Sequence, residues 1–306
     1  MSFGYKVLGF GAGAGAASKF VVATGGCEST DGDYKIHSFN STGCFTVSSA
    51  GNPSCCGGDG SYVDYLVVAA GGDGNDGAGA GGGYLSTNRT YPASTGSAGC
   101  GATDGIQVSV ANYPIVVGAA AGRPSPYGGG LSSFSTITSA GGGKGGTITG
   151  GGHVSNPGGS GGGGGHRQGS GTGNTPPTTP SQGNPGGPPL STGIHGTYGS
   201  AGGGGMGGSG QGSPGHSTGG NGGNGGVADI TGASVTYSAG GGGNNQNSCA
   251  SGNAGGPCAA TSGAGGTGAP ARNGVANRGG GAGGSPSTPG PSSGGTGVVM
   301  IRYKYQ

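Results

Sequence analysis

Side chains able to do acid–base or metal chemistry are few in this chain and lie far apart. The five histidines are widely spaced and match no metal-binding motif: they are His37, His153, His166, His195 and His216. Of the nine acids, only Asp229 comes after Asp104, so a carboxylate pair of the glycosidase type would have to come from the first third of the chain. We therefore expect no enzyme activity and no cofactor, and we expect His37 to lie on a strand at a sheet surface.

Phosphate-binding motifs carry no information in this sequence. GxGxxG recurs because 91 of the 306 residues are glycine, and Gly143-Lys144-Gly145 lacks the Ser or Thr that follows the lysine of a phosphate loop. Asp73 and Asp76 come soon after a predicted strand and could bind a cation. A solvated turn is the better interpretation, because aspartates between glycines are typical of turns.

The cysteines form no recognisable framework. There are seven, and they include no CxxC pair: Cys27, Cys44, Cys55, Cys56, Cys100, Cys249 and Cys258. Cys249 and Cys258 fall in one glycine-rich stretch and could close a small disulfide loop if the protein acts outside a cell. The other cysteines are equally well interpreted as free thiols.

Polar and aromatic side chains between the glycine runs are the best candidates for a binding surface. Tyr, Asn and Arg are favoured in adaptable recognition loops because they combine contact area with polar groups. Taken singly, each such residue is also explained as part of a solubilising turn. As a set, clustered at one end of a rigid unit, they predict a receptor-contact surface formed by Arg167, His195, Tyr198, Asn244, Asn245, Arg272 and Arg278.

Composition limits how the chain can fold. Apolar residues make up 29% and charged residues 7%, so a conventional core cannot extend through all 306 residues. No apolar run approaches the length of a membrane span, and the start shows no secretory signal, so we expect a soluble chain. Residues 105–306 carry seven bases against the single acid Asp229. Bases this sparse cannot track phosphates, and we expect no nucleic-acid binding.

Strand-like segments occur mainly in the first half. Residues 34–39 and 44–47 are separated by a short turn and predict a β-hairpin, and residues 62–69 predict a central strand. Further apolar segments are 106–110, 113–117, 131–138, 227–237 and 298–303. Helical periodicity is absent. Since the last strand follows a long glycine-rich stretch, we expect it to return to the earlier sheet and pair with residues 62–69.

The glycine-rich stretches admit two interpretations, a flexible linker or a packed bundle of polyglycine II helices. Such helices have three residues per turn and exchange N–H···O=C bonds with neighbouring helices, which glycine allows to approach closely. Glu is absent after Glu28, and the stretches consist almost wholly of Gly, Ala, Ser, Asn, Thr and Pro. A packed interior excludes bulk and charge, whereas a linker tolerates both, so the composition favours the bundle.

These interpretations define one all-β fold, an antiparallel β-sandwich scaffold with long glycine-rich insertions forming a polyglycine II bundle. The predicted divisions are an attachment segment at 1–17, the scaffold at 18–138, insertions at 139–226 and 238–296, and scaffold strands at 227–237 and 297–306.

The order of the strands resembles the glycine-rich domain of bacteriophage tail-fibre and other virion structural proteins. The similarity is carried by 34–39 with 45–47, 63–72 (VDYLVVAAGG), 81–84 (GGGY), 115–118 (IVVG), 230–240 and 297–303 (GVVMIRY). The family fixes no functional residues. Similar adhesins of some T-even-like phages present variable loops from a polyglycine II bundle.

The resemblance implies a protein of the virion, made in the host cytoplasm and placed on a tail fibre or the particle surface. The implied partners are other virion proteins, bound through residues 1–17, and a host surface glycan or outer-membrane protein. A homotrimer is consistent with the resemblance. The alternative is a capsid decoration or fibre-shaft subunit with no receptor role. A secreted matrix or ice-binding protein would require a signal peptide and regular threonine or glycine spacing, which the sequence lacks.

Overall fold

The fold is all-β. A computed structural model of the chain describes residues 20–52, 60–75, 77–87, 105–120, 128–147, 154–165, 169–188, 199–215, 218–244, 273–284 and 292–306. These residues contain no helix. Their strands are β1 (Val21–Thr24), β2 (Cys27–Asp31), β3 (Tyr34–Phe39), β4 (Gly43–Ala50), β5 (Tyr62–Val68), β6 (Tyr84–Ser86), β7 (Ile106–Gln107), β8 (Ala111–Val116), β9 (Ser132–Phe134), β10 (Ile137–Ser139), β11 (Gly226–Ala228), β12 (Val235–Tyr237) and β13 (Val298–Lys304).

Two antiparallel sheets form the scaffold. The first sheet has the order β1-β4-β8-β9-β10 and the second has the order β2-β3-β13-β5-β6, with β7 paired to β5. Alternate residues turn inward, as in Phe45 and Val47 of the first sheet and Val299 and Ile301 of the second, and these side chains share one buried core. The predicted fold class, an antiparallel all-β scaffold compatible with a β-sandwich, is confirmed.

The predicted hairpin between residues 34–39 and 44–47 is wrong. β3 pairs with β2 and β13, whereas β4 pairs with β1 and β8. Residues 40–42 therefore carry the chain from one sheet to the other. This crossing follows from the core, because Phe39 and Phe45 on either side of the turn are both buried between the sheets.

The C-terminal strand pairs as predicted. β13 lies between β3 and β5, with Val299 opposite Val67 and Ile301 opposite Tyr65. The predicted scaffold strand at 227–237 is instead a hairpin of β11 and β12, which forms a sheet of its own. Its Ile230 and Tyr237 pack on the outer face of the second sheet in a second apolar cluster. Residues 131–138 likewise form a hairpin, made of β9 and β10.

The glycine-rich segments are extended and hydrogen-bonded to one another. We call these segments together the glycine bundle. It comprises the described residues within 69–83, 128–130, 140–147, 154–165, 169–188, 199–225, 238–244 and 273–297. Successive N–H groups of residues 77–83 donate to three neighbouring segments in turn, and the pattern repeats every third residue. Residues 77, 80 and 83 donate to Gly146, Gly143 and Ala140, respectively. Residues 78 and 81 donate to Ala201 and Gly204, and residues 79 and 82 donate to Ala282 and Gly279.

Glycine is required in the bundle because neighbouring backbones lie too close for a side chain. A Cβ placed on Gly203 would clash with the carbonyl oxygen of Gly79, and one placed on Gly241 would clash with that of Ala282. These carbonyls accept hydrogen bonds from yet other segments, as when Gly241 N donates to Gly79 O at 3.0 Å. The backbone groups are thus paired without a core of large side chains.

Candidate functional site

The bundle has a scaffold end and a far end. The chain leaves β5 at Val68, runs outward to Asn75 and returns to β6 at Tyr84. Hydrogen bonds hold the two arms side by side: Ala69 N donates to Gly83 O at 3.0 Å, and Asn75 N donates to Gly77 O at 2.9 Å. Asn75 therefore marks the far end of the bundle.

Other parts of the chain reach this same far end. Gly77 N donates to Gly146 O at 2.8 Å, and Ala78 N donates to Ala201 O at 3.2 Å. Gly74 N donates to Ser292 O at 3.0 Å. These acceptors come from three separate parts of the chain, so the chain reaches the far end several times.

Most of the predicted receptor-contact residues lie outside the described residues. This holds for Arg167, His195, Tyr198, Asn245 and Arg272, and also for Cys249 and Cys258 of the proposed disulfide. The described residues that flank them belong to far-end segments. Gly164 N donates to Gly187 O at 3.1 Å, Ala201 N donates to Gly164 O at 2.9 Å, and Asn273 Oδ1 accepts from Ser293 N at 2.8 Å.

Asn244 lies at the far end but inside the bundle. It is only 1% exposed, and its N–H donates to Ser200 Oγ at 2.7 Å. In return, Ser200 N donates to Asn244 O at 2.7 Å. Asn244 therefore joins two segments of the bundle, and it offers little surface to a partner.

Arg278 lies at the scaffold end of the bundle. Its guanidinium stands over the Tyr237 ring, 5.4 Å from the centroid, and Nη1 donates to Thr236 O at 3.4 Å. Its carbonyl accepts from Ser238 N at 2.8 Å. These contacts bind β12 to the bundle, so we leave Arg278 out of the proposed receptor surface.

Buried polar side chains near the far end were missed by sequence reasoning. Asn75 Nδ2 donates to Gly145 O at 3.2 Å, Ser155 Oγ donates to Gly163 O at 2.7 Å, and Ser200 Oγ donates to Asn244 O at 3.0 Å. Each supplies a donor to a carbonyl near the end of its segment. Asn75 and Ser200 each directly follow a glycine in the sequence, whereas Ser155 does not.

Asp73 does not lie in a solvated turn as predicted. It is 1% exposed, and its Oδ1 accepts from Gly294 N at 3.2 Å. Because Gly74 also bonds Ser292, the segment 292–297 packs directly on residues 71–74 and covers the aspartate. Asp76 lies outside the described residues.

His37 is not at a sheet surface, contrary to the prediction. The ring is fully buried, with Nδ1 2.7 Å from Gly25 O and Nε2 2.9 Å from Tyr303 Oη. A neutral ring that donates from Nδ1 and accepts at Nε2 satisfies both contacts. Burial lowers the pKa of His37 from its ordinary value of 6.5 and raises that of Tyr303 to about 12.

Within the described part of the chain, no three His, Cys, Asp or Glu side chains are grouped to hold a metal. Cys27 and Cys44 are both exposed free thiols. No helix among the described residues is long and apolar enough to cross a membrane.

The fold and its bundle define a class of all-β protein in which glycine-rich segments pair through their backbones. The family model of the glycine-rich domain matches residues 57–304, and the chain belongs to this family. The match begins before β5 and ends within β13, so it covers the bundle and the strands that enclose it. No curated protein and no solved structure matches the chain significantly.

Proposed function

We propose that the chain is a non-enzymatic structural protein of a bacteriophage virion, a tail-fibre or tail-tip adhesin that contacts a host surface receptor. The observation that carries the proposal is the repeated arrival of the chain at one end of a hydrogen-bonded bundle. Arg167, His195, Tyr198, Asn245 and Arg272 all belong to stretches that connect far-end segments. A binding surface needs loop residues that are held in place by a rigid support.

A bundle of polyglycine II helices is the form of support that we infer. The three-residue repeat of donors along residues 77–83 is the period of such a helix. Because its backbone groups bond to one another, the bundle depends on glycine and not on a side-chain core. Sequence changes in the connecting stretches at its far end would therefore leave the bundle intact, which suits a surface that follows a varying receptor.

The proposed partners are a host surface glycan or outer-membrane protein at the far end, and other virion proteins at residues 1–17. A homotrimer remains part of the proposal. In this proposal, the chain is synthesised in the host cytoplasm and then becomes part of the phage particle.

One observation favours the alternative, a decoration or fibre-shaft subunit. The five strands of the first sheet contain no charged residue. Their outer face exposes Val22 and Val116 together with hydroxyl side chains such as Thr24 and Thr138. An uncharged face with exposed apolar side chains suits packing against other subunits, whereas an adhesin alone does not need one.

Immunogold electron microscopy of phage particles, with antibodies raised against the purified chain, separates these functions. The adhesin proposal predicts gold at the distal tips of tail fibres. Gold spread over the capsid or along a shaft would instead establish the structural role and reject the receptor role.

A triple variant tests the receptor surface itself. Replacing Arg167, His195 and Tyr198 by alanine should reduce host adsorption about tenfold or more, because a few anchors dominate most interfaces. The matched control carries Asn40→Ala and Ser41→Ala in the exposed turn of the scaffold. Equal adsorption by the triple variant and the control would contradict the proposed surface.

A further inference from the structure

The loop between β11 and β12 lies against an acidic edge of the scaffold. Gly232 N donates to Asp229 O at 2.8 Å and closes the loop, with Gly232 in the left-handed region at φ 83°. A Cβ placed on Gly232 would lie 2.6 Å from Asp31 Oδ2, so the loop backbone touches the Asp31 carboxylate at the end of β2. Two segments nearly two hundred positions apart in the chain thus meet at this point.

Asp229 is buried at this contact without a complete set of partners. It is 3% exposed, and its Oδ2 has no hydrogen-bond partner among the described residues. Burial raises the pKa of Asp229, and the nearby charge of Asp31 adds to this rise. Burial of a carboxylate disfavours its charged form, and a bound cation would offset this cost.

The basic residues of the second sheet are already matched to other acids. Lys35 Nζ lies 3.2 Å from Glu28 Oε2, and Lys304 Nζ lies 3.9 Å from Asp33 Oδ2. Arg302 donates to Asp64 Oδ2 through Nη2 at 2.9 Å and through Nε at 3.3 Å, and its guanidinium stacks on the Tyr34 ring at 4.9 Å. Arg302 lowers the pKa of Asp229, but burial is the larger influence. Asp31 and Asp229 form no salt bridge with these three bases, and each lies close enough to influence the other electrostatically.

We propose that Asp31 and Asp229 bind one divalent cation, with Ca²⁺ preferred, and that this ion fastens the β11–β12 loop to β2. Ca²⁺ takes six to eight oxygen ligands in flexible geometry, from carboxylates, main-chain carbonyls and water. The two carboxylates supply part of this ligand set, and water completes it. The ion is structural, and it is independent of the proposed receptor role.

Calcium titration of the full chain, after dialysis against EDTA, tests the site. Calorimetry should give one Ca²⁺ per chain that depends on Asp229. At a Ca²⁺ concentration 100 times the Kd, the melting temperature should rise by about 4 °C. MgCl₂ should give a smaller rise, since Mg²⁺ demands stricter geometry.

Asp229→Asn and Asp31→Asn should each abolish this rise, and Asp33→Asn is the matched control that should keep it. Because Asp229→Asn removes a buried charge, its melting temperature without metal should equal or exceed that of the parent protein. The proposal is overturned if Ca²⁺ leaves the melting temperature unchanged, or if Asp229→Asn retains both the rise and the bound ion. A larger rise with Mg²⁺ would overturn the preference for Ca²⁺.

Discussion

At the scale of single residues, His37 shows how the scaffold uses a buried polar group. Its ring connects Gly25, in the link between β1 and β2, to Tyr303 of β13. It also meets the edge of the Phe45 ring across the core, with centroids 5.2 Å apart. This one side chain of β3 thus bonds β13 and the β1–β2 link, and it packs on the first sheet.

The lowered pKa of His37 predicts acid-sensitive stability. The unfolded chain, in which the pKa is near 6.5, binds the proton more readily than the folded protein does. The contribution of His37 to the free energy of unfolding should therefore be constant above pH 6.5. It should decrease as the pH falls below 6.5, by at most about 1.4 kcal/mol per pH unit. Urea denaturation of the full chain between pH 7.5 and 5 measures this slope.

His37→Gln is the matching variant, because glutamine offers a donor and an acceptor but does not titrate in this range. It should be less stable at pH 7.5 and should show a shallower slope below pH 6.5. An unchanged slope would mean that another group causes the acid sensitivity.

The position of His37 on a strand could be predicted from the sequence, but its burial could not. Alternation along residues 34–39 treats histidine as polar and hence as exposed. The partner that makes burial favourable is Tyr303, 266 positions away. Asp73 was misjudged for a similar reason, since its donor belongs to residue 294.

At the scale of elements, the glycine segments should tolerate larger side chains poorly. Gly203→Ala should destabilise the protein by about 1–3 kcal/mol or more, because the new Cβ clashes with Gly79 O and a bonded backbone cannot easily move. Gly169 has nothing within 4 Å of its Cβ position and no positive φ, so Gly169→Ala is the matched control.

The control should be neutral or stabilise by about 0.4–1 kcal/mol, because alanine restricts the unfolded chain. Chemical denaturation of both variants measures these changes in the free energy of unfolding. Equal stabilities of Gly203→Ala and Gly169→Ala would show that the bundle does not pack as closely as described.

Gln182 joins two segments of the glycine bundle through its side chain. Its Oε1 accepts from Ala140 N at 2.7 Å, and its Nε2 donates to Pro176 O at 2.7 Å, while the residue is fully buried. Gln182→Ala leaves both partners unpaired and should cost about 2–4 kcal/mol. Gln211→Ala, at an exposed glutamine, should change stability by less than about 0.5 kcal/mol in the same denaturation experiment. A similar small effect for both would contradict this joining role.

Several elements were predictable because their pattern is local or their need for a partner is plain. The apolar run at 62–69 predicted an interior strand, and the isolated run at the C-terminus required a sheet to join. The hairpin predicted at 34–47 is wrong because a short turn can join two strands of one sheet or carry the chain between two sheets. Burial of both Phe39 and Phe45 between the sheets requires the second arrangement. The three-residue repeat of the bundle cannot be read from the sequence, because glycine occurs there in runs and at irregular spacing.

At the scale of the whole molecule, scaffold and bundle are one connected structure. The segment 292–297 bonds residues 71 and 74 of the bundle and then continues into β13, at the centre of the second sheet. Loss of bundle packing should therefore weaken the scaffold as well. The candidate receptor residues were named from the types of side chain between glycine runs. Which of them share one end depends on the hydrogen bonds between distant segments, and this excluded Arg278.

Native-state amide hydrogen exchange on the full chain tests whether the glycine-rich segments form an ordered, hydrogen-bonded bundle. We expect the amides of residues 77–83 and 201–204 to exchange about as slowly as those of β5, because all open together. Exchange of these glycine amides at the rate of an unstructured peptide, while β5 stays protected, would contradict it and restore the flexible linker.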